Sequence, residues 1–228
     1  MDKMVFVGGY RRVEAGRFSR MFVLGTADFA ADVQGANAWI LGTCSFWRNM
    51  MLRNVIALGT ITVNGEARLK KLVNPGTFIT HGNVHIRKLM NKGTFQCKGS
   101  YEGGKLKSVG TVHTGADMRL DSFQSRGTFH IGGKLSATSI QARISGLCSA
   151  AEIHAHLIHI QVAGKKGARR LLTAGRIHAD KLYIEHTNVK LITGADITIG
   201  PSCAVDMIYY SDRLTVHPSS SVRYSEKS

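Results

Sequence analysis

Apolar and polar residues alternate along this chain in short bursts, and the bursts return every 17 residues. Counted from the glycine of a recurring Gly-Thr pair, offsets two and four are mostly apolar. They carry Cys44 and Phe46, Ile61 and Val63, Phe95 and Cys97, and Phe129 and Ile131, with Thr80 and Thr114 as polar exceptions. Alternation with period two predicts a strand buried on one face. Offsets eight and ten resume it with pairs such as Ala67 and Leu69, or Val84 and Ile86. Offset 13 adds a third inward column that runs Val55, Leu72, Leu89, Leu106, Phe123, Ile140. Asn64-Gly65, His81-Gly82 and Lys98-Gly99 fall between the first two strands, where a sharp corner favours a residue at ease with positive φ. Polar pairs such as Asn74-Pro75, Asn91-Lys92 and Ser125-Arg126 read as the corner that closes each turn.

The Gly-Thr pairs are Gly25-Thr26, Gly42-Thr43, Gly59-Thr60, Gly76-Thr77, Gly93-Thr94, Gly110-Thr111 and Gly127-Thr128, without one insertion between them. Three short strands and three corners per 17 residues predict one turn of an all-β, parallel, three-sided β-helix. Helical repeats need about 33–34 residues and a 3.6-residue period, and neither is present. Burial within one such turn does not offset the entropy of ordering its backbone, so stability must come from stacking on neighbours. The phase is lost after Arg143. The expected organisation is a tail over 1–12, regular coils over 13–145, irregular coils or a capping module over 146–217, and a disordered tail over 218–228.

Charge changes the picture more than composition does. The chain of 228 residues is 43% apolar, which is ordinary, but its formal charge is +15 and its pI is near 10.0. Such a balance predicts attraction to polyanions: an anionic lipid surface, an acidic protein or nucleic acid. No apolar run approaches the roughly 20 residues of a spanning helix. Met4–Val7 is too short for a signal-peptide core, so the expected location is the cytoplasm, peripheral to the inner face of the membrane. The four cysteines lie far apart with no C-x-x-C spacing, and buried thiols are the expectation.

The iterated Gly-Thr-φ-x-φ-x-Gly units resemble those of bactofilins, bacterial polymer-forming cytoskeletal proteins. The segment Asp180–Cys203 (DKLYIEHTNVKLITGADITIGPSC) is similar to one that follows the repeats in the longer Firmicute bactofilin-like branch. The resemblance implies a right-handed β-helix that polymerises through its ends without a nucleotide, as a scaffold in cell shape, envelope or motility. It brings no catalytic residue and no cofactor.

Two candidate sites follow from the residues themselves. Arg53, Lys70, Lys71, Arg87, Lys88 and Lys105 fall at offsets 11 and 12, so they stack as a cationic ladder along one edge. The plain interpretation is a solvated corner; the sharper one is an anion-binding stripe. No aromatic residues interleave with it, which disfavours single-stranded nucleic acid and leaves a lipid surface or duplex backbone. Met4, Val5, Phe6 and Val7, with Arg11 and Arg12, form either a membrane-contacting plug or an extra strand on the first coil. His154, His156, His159 and His178 lack an acidic or cysteine companion at metal-site spacing, and solvated strand histidines are expected. The loop Gly164–Arg170 lacks the order of a phosphate-binding loop. A homopolymeric scaffold leads. An acyltransferase-type enzyme on a left-handed β-helix and an anion-binding rod are the alternatives.

Overall fold

A computed structural model describes residues 4–14, 16–164 and 169–227. The chain forms two compact units, Met1–Ala116 and Asp117–Ser228, and each is an all-β parallel solenoid with no helix among the described residues.

In the first unit every full coil contains a four-residue strand and an eight-residue strand, as in Thr60–Val63 and Ala67–Asn74. Each strand pairs in parallel with its equivalent one coil away: Thr60 with Thr77, Ala67 with Val84, Leu72 with Leu89. The short strands bury alternate residues. The long ones alternate too, except that two consecutive residues are exposed in the middle, Lys70-Lys71 and Arg87-Lys88. That phase slip is the second corner. Three sides are present as expected, but the chain bends through this corner while keeping its ladder hydrogen bonds. Two strands per coil result instead of three.

The glycines do a different job from the one expected. Among the described residues the one glycine at positive φ is Gly164. The stacked glycines are needed for close approach instead. A Cβ on Gly42, Gly59 or Gly76 would overlap the carbonyl oxygen of the glycine one coil earlier. At the other corner, a Cβ on Gly65 would lie 2.5 Å from Asn49 Oδ1, and one on Gly99 equally close to Asn83 Oδ1. Those amides are occupied in joining coils: Asn49 accepts from the Glu66 N–H at 2.9 Å, and Asn83 from the Ser100 N–H at 3.0 Å.

Equal offsets make columns in the core. Phe29 stacks on Phe46 with ring centroids 4.9 Å apart, and Phe78 on Phe95 at 5.5 Å. Asn74 and Asn91, read above as solvated corners, are instead buried in the inward column that follows Val23, Ile40 and Ala57. They form an amide ladder. Asn74 Nδ2 donates to Asn91 Oδ1 at 2.8 Å, and Asn91 Nδ2 to Ser108 Oγ at 3.0 Å. Both also donate to backbone carbonyls, of Thr94 and Thr111. Asn74 Oδ1, facing the apolar start of the column, has no hydrogen-bond partner. Thr80 and Thr114 are likewise fully buried.

The second unit keeps the stacking and gives up the constant length. His130 pairs with Ser149, Cys148 with Leu172, Leu172 with Thr187, Asn188 with Ala204, and Ala204 with Ser221. The strands remain in register while the corners lengthen or shorten. His186 and Ser202 turn such corners at φ of 50° and 58°, and the His186 N–H donates to Pro201 O at 2.8 Å. One core column here is all isoleucine, Ile153, Ile177, Ile192 and Ile208, and Phe123 packs edge to face on Phe129 in the same unit.

Both expected tails turn out to be strands where they are described. Met4–Val7 pairs with Arg20–Val23, and Tyr10–Val13 with Thr26–Phe29. Residues 218–228 were expected to be disordered, but Ser221–Lys227 pairs with Ala204–Tyr210. Its Val222 falls 17 residues after Val205, which continues a core column that a polar composition conceals.

A candidate polyanion-binding edge

All six expected ladder cations are exposed: Arg53, Lys70, Lys71, Arg87, Lys88 and Lys105. Lys71, Lys88 and Lys105 are direct register partners, so their ammonium groups climb one column at about 4.8 Å per rung. Arg53, Lys70 and Arg87 occupy the bend residue just before that column, outside the paired register. Before Lys71 the column runs Arg20, Asn37, Asn54, and Asn54 Nδ2 donates to Asn37 Oδ1 at 2.8 Å.

What sharpens it is the lack of counter-charge. No acidic residue occurs between Glu66 and Glu102. Glu66 is engaged by Arg68 at 3.1 Å, and Glu102 lies 3.8 Å from His85. Among the described residues none of the six ladder cations forms a salt bridge. Like charges at this spacing repel by about 1 kcal/mol in water, a cost a solvated corner can carry and a bound polyanion would remove.

The N-terminal candidates are divided by the fold. Val5 and Val7 face the core, at 6% and 2% exposure, and Met4 and Phe6 face outward. Only half of the supposed plug is therefore available to a membrane. Arg11 and Arg12 lie on the next strand, away from it. Arg11 sits at the register position of the core column Ala27–Cys44–Ile61, yet is exposed. Tyr10 hydrogen-bonds Asp28, which raises its phenol pKa.

Histidines of the second unit stand in ladders along its strands. His154 and His178 are register partners with ring centroids 5.7 Å apart. His178 Nδ1 pairs with Thr193 Oγ1 at 2.7 Å, His156 Nδ1 lies 2.7 Å from Asp180, and His159 stacks on Tyr183 at 4.8 Å. His154 is held below the ordinary imidazole range, chiefly by desolvation and then by Lys134. Among the described residues no group of three or more His, Cys, Asp or Glu could hold a metal ion.

All four cysteines are buried and free. Burial pushes the Cys97 thiol up to about 12 and that of Cys148 to about 11, so neither is a thiolate near neutral pH. Of the basic loop Gly164–Arg170, residues 165–168 lie outside the described residues. The carbonyl oxygen of Arg169 accepts from His186 Nδ1 at 2.9 Å.

Comparison with known proteins adds a fragmentary likeness. The chain is 36% identical over 90 residues to "Uncharacterized protein YhbE" of Bacillus subtilis (strain 168), an alignment covering 35% of this chain and 38% of that protein. No family model matches the chain, and no solved structure matches it. No helix among the described residues is long and apolar enough to cross a membrane.

Proposed function

We propose that this chain is a non-enzymatic scaffold that assembles with copies of itself through the ends of its solenoid, without a nucleotide. The supporting observation is how the core columns reach the last described coil. Leu214 continues Ile197, Val216 continues Ile199, and Val222 continues Val205. These three are no longer buried, and Val216 is 38% exposed. Among the described residues nothing pairs with the outer edge of Ser221–Lys227. Apolar columns that end beside unpaired N–H and C=O groups form a template for another strand.

The coil at residues 4–13 is a poorer template. Arg11 stands in its core column, and an inward charge is a common means of blunting a sheet edge. Association through the C-terminal coil is therefore the stronger contact and elongation through the N-terminal coil the weaker one. The 17-residue units and the Asp180–Cys203 segment, which resemble bactofilins, point the same way.

Sedimentation across concentration and salt tests this reading. The native chain should form larger species as its concentration rises. Val216→Lys combined with Val222→Lys should return it to monomer with an unchanged circular dichroism spectrum. A native chain that stays monomeric under every condition would defeat the proposal. Turnover of acetyl-coenzyme A would favour the acyltransferase alternative; none is expected.

A further inference from the structure

On the third side of the coils that run from Phe6 to Met90, the outward column is apolar, where a water-facing strand would be polar, and it ends at Lys107. Register pairs Phe6 with Phe22, Phe22 with Trp39, and Trp39 with Ile56, and the column continues through Val73 to Met90. Phe22 and Trp39 stack with centroids 4.7 Å apart and planes 5° from parallel. Two residues further along the same face stand Leu24, Leu41 and Leu58, which are 51%, 49% and 53% exposed. Single exposed apolar residues are ordinary, but two adjacent ladders on successive coils make a patch.

The cationic column borders this patch. Residues i and i+2 of a strand share a face about 7 Å apart. Lys71 and Lys88 therefore flank Val73 and Met90, and Arg20 flanks Phe22. The described acidic residues of this unit, Glu14, Asp28, Asp32, Glu66 and Glu102, all fall at other offsets of the coil. A second copy docking through this same face would thus bring further cations and no carboxylate. An anionic bilayer supplies both negative headgroups and an apolar layer beneath them.

We propose that this face docks on an anionic phospholipid bilayer, with the aromatic and leucine ladders in the interface and the lysine column on the headgroup phosphates. Aromatic rings such as Trp39 favour that depth. The inference goes beyond end-to-end assembly and does not depend on it, because a monomer presents the same face.

The chain has two tryptophans, Trp39 on this face and Trp47, which is 61% exposed and follows the short strand Thr43–Phe46 on another side. Full-length Trp47→Phe and Trp39→Phe variants each retain one reporter. They are mixed with phosphatidylglycerol–phosphatidylcholine vesicles carrying brominated acyl chains, and with phosphatidylcholine alone. Trp39 should be quenched and blue-shifted by the anionic vesicles only, and Trp47 by neither. Lys71→Glu with Lys88→Glu should lower partitioning at least about tenfold at low salt, with circular dichroism unchanged. Equal quenching of both tryptophans would overturn the proposal, as would binding indifferent to the two lysines. So would loss of self-association in Leu41→Ser with Leu58→Ser while Trp39 stays unquenched, because a second copy would then cover the face.

Discussion

The two units solve the same stacking problem with opposite charge patterns. In the first, Lys71, Lys88 and Lys105 stand in one column with no acid among them. In the second, the columns alternate in sign: Lys134–Glu152–Arg176 on one side and Lys181–Asp196–Arg213 on another. Arg213 binds Asp196 through two hydrogen bonds, at 2.8 and 3.2 Å, and this holds the Asp196 carboxyl below its usual range. Arg176 lies 3.6 Å from Glu152, and Arg223 lies 3.4 Å from Asp206. The second unit neutralises its ladders internally, and the first leaves its lysine column without a counter-charge. A solenoid corner tolerates either choice because solvent screens it.

The cores also differ, and the largest expected effect lies there. Phe46 stacks in an aromatic column of the first unit, and Ile177 lies in an isoleucine column of the second. Phe46→Ala should cost about 3–5 kcal/mol and Ile177→Val only about 0.5–1.5 kcal/mol, read as shifts in thermal midpoint. A loss below about 1 kcal/mol for Phe46→Ala would contradict its place in a packed stack. Next comes the amide ladder, which the first unit alone contains in this form. Asn91→Ala strips Asn74 Nδ2 of one acceptor and Ser108 Oγ of its donor, for about 2 kcal/mol. Hydrogen exchange should locate that loss near residues 74–111, and a neutral result would mean the ladder carries no stability.

A charge exchange sharpens the comparison further. Lys88→Glu turns the like-charged column into an alternating one. It should stabilise the first unit by up to about 1 kcal/mol while weakening its binding to heparin, used as a model polyanion. Asp196→Lys does the reverse to the second unit, lowering its stability and strengthening heparin binding. If heparin affinity followed neither change, the ladder would be a solvated corner and nothing more. The smallest effect concerns His154. Its folded-state pKa lies below the unfolded value of about 6.5, so the unfolded chain binds more protons in that range. Stability of the second unit should therefore fall modestly as pH drops below about 6.5, and His154→Gln should flatten that part of the profile.

Much of this was open to a reader of the sequence, because a constant 17-residue period converts position directly into place. The inward columns, the exposed second corner and the six stacked cations all follow from counting. What escaped has physical reasons. Strand continuity through Lys70-Lys71 is a matter of hydrogen bonds that polarity does not encode. The glycines serve the carbonyl beneath them, and a sequence does not separate that role from positive φ. Asn74 and Asn91 are polar yet inward, since each amide finds partners in the next coil. Ser221–Lys227 offers only Val222 and Tyr224 as apolar residues, so its pairing is visible only through its distance from Val205. The outward ladder from Phe6 to Met90 was countable by the same rule, but counting from the buried face passes over it.

Self-assembly is the central claim, and negative-stain electron microscopy of the purified full-length chain, beside its Val216→Lys, Val222→Lys variant, tests it most directly. Filaments from the native chain without nucleotide, and their loss in the variant, are the expected result. Dispersed single particles from the native chain, or filaments unchanged by the two lysines, would contradict it.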